Sequence, residues 1–248
     1  MKEYPLNIHR YADRQTMGER AARDIADTIR ARLSQQPEVR MIFAAAPSQA
    51  ETLATLRQMS DIDWSRVTAF HMDEYLGLTP SASQRFGQWL TQHIFGHLHF
   101  KAVNLLTPEE GSQACIERYT QLLNEAPIDI AVMGIGVNGH LAFNDPPVAD
   151  FGDTCVVKVV ELDNTCRQQQ VDDQCFSALN EVPTSALTLT IPCLLSAAEI
   201  FCVVPGAAKR EAVYQTLHGP ISTRWPSSVL RTHAACSLYL DADSLPEG

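Results

Sequence analysis

An acidic pair, Asp73 and Glu74, stands directly after an apolar run that ends Ala69-Phe70-His71-Met72. A carboxylate at the end of a buried strand is partly shielded from water, which raises its basicity and suits it to take a proton from a substrate. The alternative is an ordinary loop in which one of the acids caps a helix. The pair is therefore a candidate for a general base.

A glycine-rich segment, GIGVNGHLAFNDPP, spans residues 134–147 and also follows an apolar run. It contains the Gly-x-Gly-x-x-Gly pattern of dinucleotide sites, but that pattern needs a helix at its third glycine, and two prolines stop any helix here. The glycines instead allow the backbone to approach a small ligand closely. A turn can bring His140 and Asp145 together as a proton-transfer pair, with a structural or exposed histidine as the alternative.

Two further segments are candidates for binding an anion. Lys209 falls in the first turn of a helix that follows Val203-Val204, where the helix dipole disfavours a cation unless an anion lies nearby. A solvated surface lysine is the alternative. Ser48 also follows an apolar run and offers a hydroxyl to a phosphate, but Glu51 in the same turn would repel that phosphate.

Short apolar runs alternate with amphipathic segments along nearly the whole chain. The runs predict strands at residues 39–46, 66–72, 128–133, 156–160, 186–191, 200–204 and 237–240, and the amphipathic segments predict helices at 13–33, 49–59, 85–97 and 112–124. This alternation is typical of an α/β fold with a mostly parallel, doubly wound, Rossmann-like sheet in a single three-layer domain over residues 1–248. In such sheets ligands bind beyond the carboxyl ends of the strands, where the candidate residues stand.

The composition and net charge of the chain limit the classes of partner that it is expected to bind. The chain has 248 residues, 45% of them hydrophobic, and a formal charge of −10. The charge argues against nucleic acid and anionic membranes as partners, while a local basic spot can still bind a small anion. No run approaches the about 20 apolar residues of a membrane helix, and the N-terminus has no apolar signal region. Seven cysteines without a Cys-x-x-Cys pair are typical of reduced thiols in a cytoplasmic protein.

The sequence gives less support to other kinds of catalytic, nucleotide-binding or metal site. The chain has no Gly-x-Ser-x-Gly and no Walker A sequence. His93 and His97 have the spacing of two metal ligands on one helix face, but nearby acids do not complete a set. We therefore expect no metal. The stretch 166–170 is typical of a polar helix face that can also hold a substrate-facing residue.

The two motifs FHMDEY at 70–75 and GVNGHLAFNDP at 136–146 together resemble the glucosamine-6-phosphate deaminase family. The resemblance extends from about Phe43 to Tyr239 and includes Ala186-Leu187-Thr188-Leu189 and the Lys209 turn. The related 6-phosphogluconolactonases share the fold, but their counterpart of the His140 segment does not read Phe-Asn-acid-Pro. The deaminase branch is the closer match.

The resemblance implies a role for each matching residue. Asp73 would remove the C2 proton of the opened amino sugar, and His140 would open the pyranose ring. Asp145 and Asn138 would orient the imidazole, and Lys209 would bind the phosphate. Hydrolysis of the resulting ketimine would give fructose 6-phosphate and ammonia, with no metal or organic cofactor.

The chain departs from the family pattern at several positions. Family members often carry Asp at 138 and Glu at 145, and an Asn carbonyl oxygen can still accept a hydrogen bond from an imidazole. The family's Gly/Thr-rich phosphate loop is replaced by AAAPSQ at 44–49, which leaves Ser48 and Gln49 as the substrate-binding candidates there. Arg167 is the nearest counterpart of a substrate-contacting arginine, and Gly136 and Gly139 complete the predicted substrate-binding set.

Three functions stay open. The first is an isomerising deaminase acting on glucosamine 6-phosphate or a close amino-sugar phosphate. The second is a sugar-phosphate lactonase, and the third is a non-catalytic sugar-phosphate sensor. A sensor needs none of Asp73, His140 and Asp145, so their joint presence favours catalysis. A small-molecule substrate is the expected partner, and a homo-oligomer is possible.

Overall fold

The computed structural model describes residues 1–246. Within them ten strands are found: β1 (Asn7–Arg10), β2 (Val39–Phe43), β3 (Val67–His71), β4 (Asp73–Tyr75), β5 (Ala102–Asn104), β6 (Ile130–Met133), β7 (Val157–Glu161), β8 (Ser185–Leu189), β9 (Glu199–Val204) and β10 (Cys236–Leu240). The α-helices are α1 (Arg14–Leu33), α2 (Ala50–Leu56), α3 (Phe86–Leu90), α4 (Ser112–Asn124), α5 (Asn164–Asp172), α6 (Ile191–Leu195) and α7 (Arg210–His218).

Seven strands form a central sheet in the order β1-β10-β9-β6-β2-β3-β5, and every neighbouring pair in it is parallel. The chain winds from β2 outward through β3 to β5, then returns to the other side of β2 with β6 and continues to β9 and β10. The winding direction therefore reverses between β2 and β6, and a crevice for a ligand is expected beyond that point. This confirms the predicted mostly parallel, doubly wound α/β fold.

Strands such as β2 are apolar on both faces because both faces of the sheet are covered. Met41 and Phe43 pack with Ile25 of α1 and Leu53 of α2 on one face. The alternate residue Ile42 packs on the other face, in a second core that also holds residues of α4 and α7. Helix, sheet and helix therefore form the three predicted layers.

Two strands predicted for the central sheet lie elsewhere. β7 and β8, from the apolar runs at 156–160 and 186–191, pair antiparallel in a separate three-stranded sheet with β4. Their assignment to the parallel sheet was therefore wrong. Val159 of β7 is 46% exposed, so one face of this strand meets solvent, as antiparallel sheets allow. The inner face of the small sheet, which includes Leu187 and Leu189 of β8, packs on the same core as the central sheet.

Several boundaries also differ from prediction. The predicted helix at 85–97 is α3 followed by a π-helical turn over Thr91–Phe95, and the predicted helix at 49–59 ends at Leu56. The short strands β1 and β5 were not predicted, because they have four and three residues and lie at the two edges of the sheet. Asp73–Tyr75, expected as a loop, is the strand β4.

The prediction of one domain over 1–248 extends to residues 247–248, which lie outside the described residues. No helix among residues 1–246 is long and apolar enough to cross a membrane.

Candidate active site

The carboxyl ends of β9, β6, β2 and β3, which are consecutive in the sheet, open into one cavity. The segments that follow these strands line it, together with α5 and Phe86 of α3. Its polar lining residues are Ser48, Asp73, His140, Gln169, Gln170, Asp173 and Lys209. The cavity therefore lies at the reversal point between β2 and β6, where the winding of the sheet predicts it.

Asp73 is the first residue of β4 and directly faces Thr188 of β8 in the register of the small sheet. It is only 6% exposed, and no other residue among 1–246 donates a hydrogen bond to its carboxylate. Burial, helped by the nearby charges of Glu74 and Asp145, raises the pKa of Asp73 well above its ordinary value. A buried carboxylate without hydrogen-bond donors is a strong proton acceptor, which suits the predicted general base.

His140 lies in the loop after β6 and is held through its Nδ1 atom. Nδ1 is 2.8 Å from Asn138 Oδ1 and 3.1 Å from Asp145 Oδ1. Asn138 also donates from Nδ2 to Asp145 Oδ1 at 3.0 Å, so the three side chains form a closed triangle. Both partners of Nδ1 are acceptors, which places the proton on Nδ1 and leaves Nε2 of the neutral ring as a lone-pair acceptor.

The two departures from the family pattern fit this triangle. The Asn138 carbonyl oxygen accepts from the imidazole, as an aspartate oxygen would, and its amide gives Asp145 a donor. Asp145 reaches the ring in spite of its shorter side chain. Burial by itself raises the pKa of Asp145, but His140 and the hydrogen bonds of His140, Asn138 and Cys166 together outweigh burial and lower it. Asp145 therefore stays charged beside the imidazole.

Glycines let this loop fold around the imidazole. The ring packs so closely on Gly136 that a Cβ at this position would overlap it. Gly139 has φ +80°, in the left-handed region that favours glycine, and its carbonyl accepts a hydrogen bond from Ser227 at 2.8 Å. Gly136 lines the cavity, whereas Gly139 lies behind it against Trp225 and Ser227.

Hydrogen bonds join the His140 loop to the small sheet. The Phe143 backbone N–H donates to Thr188 Oγ at 3.1 Å, and Asn144 donates to the Leu189 carbonyl at 2.8 Å. Thr188 is also the register partner of Asp73. The strand that carries the acid and the loop that carries the imidazole therefore share one neighbour.

Lys209 ends a short 3₁₀ turn before α7 and is 8% exposed. It lines the cavity, and among residues 1–246 its ammonium has no hydrogen-bond acceptor. Burial lowers the pKa of Lys209 to about 8, although Asp173 and Cys166 act in the opposite direction. An ammonium without a partner at the wall of a cavity is suited to bind an anion.

The loop after β2 contributes less than predicted. Ser48 lines the cavity, together with Ala44–Ala46. Gln49 is fully buried behind it, where its amide donates to Val203 O at 3.2 Å and to Ser48 Oγ at 3.1 Å. The structure thus places Gln49 as support for Ser48 and outside the cavity lining, because the 3₁₀ turn at 47–49 points it toward β9.

Arg167 also lies away from the cavity. Its guanidinium donates to the carbonyls of Leu179 and Val182 at 2.7 and 2.9 Å and to the Asn164 side chain. This placement does not support its prediction as a substrate-binding residue. The same helix, α5, instead presents Gln169, Gln170 and, at its C-terminus, Asp173 to the cavity.

Sequence reasoning missed Asp173, since it follows a helix rather than a strand. It also missed two apolar walls of the cavity, Phe86 and Phe143, whose rings stack with centroids 5.4 Å apart. The alternation of strands and helices gave no signal for any of these three positions. The polar composition of 166–170 was the signal that a substrate-facing residue could stand nearby.

One group among residues 1–246 has the ligand types of a metal site: His140, Asp145 and Cys166, whose donor atoms lie within 4.8 Å of one another. His140 Nδ1 is already shared between two oxygens, and burial raises the pKa of the Cys166 thiol well above its ordinary value. The three residues are therefore arranged as a hydrogen-bonded cluster rather than as free ligands. His93 and His97 each contact a carbonyl of their own helical segment.

Fold and site together define a doubly wound α/β protein whose cavity combines a buried carboxylate, an oriented imidazole and an ammonium that has no hydrogen-bond acceptor in the described part of the chain. Residues 12–238 match the family model of glucosamine-6-phosphate isomerases and 6-phosphogluconolactonases. The chain belongs to this family.

Relatives within the family are similar over most of the chain. A glucosamine-6-phosphate deaminase of Listeria welshimeri is 33% identical over 208 residues, which is 84% of this chain and 87% of the relative. One of Lactobacillus delbrueckii subsp. bulgaricus is 34% identical over 183 residues, 73% of this chain and 76% of the relative.

Solved structures show the same fold. A structure of a monomeric glucosamine-6-phosphate deaminase matches with a TM-score of 0.88 and 27% identity, over 96% of this chain and 98% of that one. A 6-phosphogluconolactonase from Thermotoga maritima matches with a TM-score of 0.79 and 14% identity, over 96% and 100% of the two chains, which shows the fold alone.

Proposed function

We propose that this protein is an isomerising deaminase, which converts glucosamine 6-phosphate, or a close amino-sugar phosphate, and water to fructose 6-phosphate and ammonia. The single observation that carries the proposal is that Asp73, His140 and Lys209 all line one cavity. A proton acceptor, a proton shuttle and an anion anchor are the three groups that this reaction needs.

In the first step His140 opens the ring. Nε2 of the neutral imidazole takes the proton of the C1 hydroxyl, and the imidazolium returns it to the ring oxygen as the C1–O5 bond breaks. The imidazolium is stabilised because Nδ1–H points at the Asp145 carboxylate at 3.1 Å. Asn138 holds the ring in the same orientation from the other side of Nδ1.

In the second step Asp73 moves the proton that isomerises the sugar. Its carboxylate takes the C2 proton of the open-chain aldehyde, and the electron pair forms a C1–C2 double bond while the aldehyde oxygen takes a proton from the ammonium group of the substrate, which gives an enol-type intermediate with a neutral amine. Return of the proton to C1 gives a ketimine at C2. Water then adds to C2, ammonia leaves, and the ketone of fructose 6-phosphate remains. The raised pKa of Asp73 strengthens it as a base, because burial disfavours its charged form.

The relatives named glucosamine-6-phosphate deaminase support this reaction over lactone hydrolysis. The chemistry is also consistent with it, since a lactonase breaks an ester bond with water and does not remove the C2 proton, for which a buried carboxylate base is suited.

The test is ammonia release from glucosamine 6-phosphate by wild type, Asp73→Asn and the control Asp172→Asn, which removes an exposed acid outside the cavity lining. We expect release by wild type and the control, and a loss of about 10²–10⁴-fold in Asp73→Asn, the range for a positioned general base. Exchange of the C2 hydrogen with solvent should be lost in the same variant. Wild-type release or C2 exchange by Asp73→Asn would contradict the role of this residue.

Three wider predictions belong to this proposal. The chain acts as a single domain, works in the cytoplasm and can form a homo-oligomer. The solved relative with the TM-score of 0.88 is described as monomeric, so the oligomeric state needs its own measurement by light scattering.

A further inference from the structure

The part of the cavity lining that consists of Lys209 and Asp173, here called the anchor end, has an unusual charge for a phosphate site. Among the described residues that line the cavity, Lys209 is the one lysine or arginine, and Asp73 and Asp173 are the two acids. Ser48 and the alanines of the loop after β2 add no positive charge. The Lys209 ammonium therefore shares the cavity with the Asp173 carboxylate, whose negative charge acts on it.

The Asp173 side chain is held in place at this position. Its backbone N–H donates to the Gln169 carbonyl at 2.8 Å at the C-terminus of α5. One carboxylate oxygen, Oδ2, accepts a hydrogen bond from Gln169 Nε2 at 3.2 Å. Gln169 in turn accepts a hydrogen bond from Val137 N–H at 2.9 Å in the His140 loop. The carboxylate is thus tied to the wall of the cavity although it stands exposed at the rim.

Asp173 acts in opposite ways on the two charges at the anchor end. It attracts the Lys209 ammonium and favours its charged form. It repels an anion bound to that ammonium, and by Coulomb's law the repulsion of a dianion is twice that of a monoanion at the same distance. A phosphate monoester is mostly dianionic above pH 7, whereas a sulfate ester carries one charge.

We propose that Asp173 is a specificity-determining residue that weakens the binding of a doubly charged 6-substituent more than the binding of a singly charged one. Sulfate esters then compete with phosphate esters a few-fold better than they would at the same site without Asp173. This inference rests on the proposed function and on Lys209 as the group that binds the 6-substituent.

The experiment measures binding of two unreactive open-chain ligands, glucitol 6-phosphate and glucitol 6-sulfate, by isothermal titration calorimetry at pH 7.5 and low salt. Wild type is compared with Asp173→Asn, which keeps an oxygen to accept from Gln169. Asp173→Ser is a second neutral variant in case the first does not fold. Asp172→Asn is the matched control, because it removes the same charge from the neighbouring residue, which lies outside the cavity lining.

We expect Asp173→Asn to bind glucitol 6-phosphate about 3- to 10-fold more tightly than wild type, since a repulsive charge at the rim has gone. For glucitol 6-sulfate the gain should be about the square root of that factor, roughly 2- to 3-fold. The control should change neither affinity by more than about 1.5-fold, and salt should shrink the gain for phosphate.

Four outcomes would overturn the inference. They are unchanged phosphate binding in Asp173→Asn, an equal gain for both esters, an equal gain in the control, and weaker binding of both esters. The last result would mean that Asp173 accepts a hydrogen bond from a sugar hydroxyl. Ammonia release from glucosamine 6-phosphate by wild type tests the proposed function separately. Its absence beside the expected binding pattern would overturn the reaction and leave the charge inference standing.

Discussion

The catalytic end and the anchor end of the cavity differ in how many contacts hold their side chains in place. At the catalytic end, formed by Asp73 and His140, the imidazole has two hydrogen-bond partners and a glycine beneath it, and Thr188 connects its loop to the strand of the base. At the anchor end, the Lys209 ammonium has no hydrogen-bond acceptor among residues 1–246, and the other charged residue there is the carboxylate of Asp173 rather than a second cation. Proton transfer needs fixed geometry, whereas anion binding needs mainly charge, so the second end is free to vary.

Among the changes that test the difference between the two ends, the largest effect should come from filling the space under the imidazole. Gly136→Ala places a Cβ where the ring now lies, so His140 must rotate away from Asn138 and Asp145. We expect kcat for ammonia release to fall about 10²- to 10³-fold, because the oriented acid and base is lost. Gly152→Ala is the control, since a Cβ there meets only Asp150 at 3.6 Å. A normal kcat in Gly136→Ala would show that the catalytic end tolerates a displaced ring.

The anchor end should respond in KM. Lys209→Ala removes the ammonium but leaves the catalytic end intact, so we expect KM for glucosamine 6-phosphate to rise about 10- to 100-fold with kcat within about threefold. Steady-state kinetics at saturating substrate separates the two parameters. An unchanged KM would remove Lys209 from phosphate binding, and a large loss of kcat alone would place it at the catalytic end.

The pH dependence of KM sharpens the same contrast. The pKa of Lys209 is lowered to about 8 by burial, so the ammonium is charged below that pH and loses its proton above it. KM should therefore rise as the pH increases from 7.5 to 9.5, while kcat stays nearly level. In Lys209→Arg the guanidinium keeps its charge over this range, and the rise should disappear. A rise that persists in the arginine variant would point to another group.

The smallest effect concerns stability. Asp73 has a raised pKa in the folded state, so the folded protein binds this proton more tightly than the unfolded chain does. Stability therefore decreases as the pH rises from the ordinary aspartate pKa through the raised one, and Asp73 costs the fold stability over that range. Asp73→Asn should raise Tm by about 2–4 °C at pH 7.5 and less at pH 4. A lower Tm for Asp73→Asn than for wild type, measured by calorimetry, would contradict the conclusion that burial of the Asp73 carboxylate destabilises the fold.

The sequence was most informative where chemistry follows a strand. Asp73, His140 and Lys209 could be predicted because parallel strands end at a common edge, so residues far apart in the chain meet there. Side-chain direction could not be predicted in the same way. Gln49 and Arg167 stand beside cavity residues in sequence, yet a 3₁₀ turn and two backbone carbonyls direct them elsewhere.

The pairing of strands that are distant in the chain also could not be predicted from the local sequence pattern. The apolar runs that became β7 and β8 have the composition of buried parallel strands, and only their partner β4 reveals the antiparallel sheet. Asp173 could not be found because a charged residue after a helix usually faces solvent. Its position depends on how α5 packs against the His140 loop through Gln169.

Thr188 has a consequence for anyone who wishes to redesign this protein. Its backbone lies opposite Asp73 and its hydroxyl accepts from Phe143, so the two arms that move protons form one module. Lys209 comes from a different strand end, and Asp173 from the far end of a helix. Substrate preference can therefore be redesigned at the anchor end by changing few residues. The residues that move protons have to be kept together as one unit.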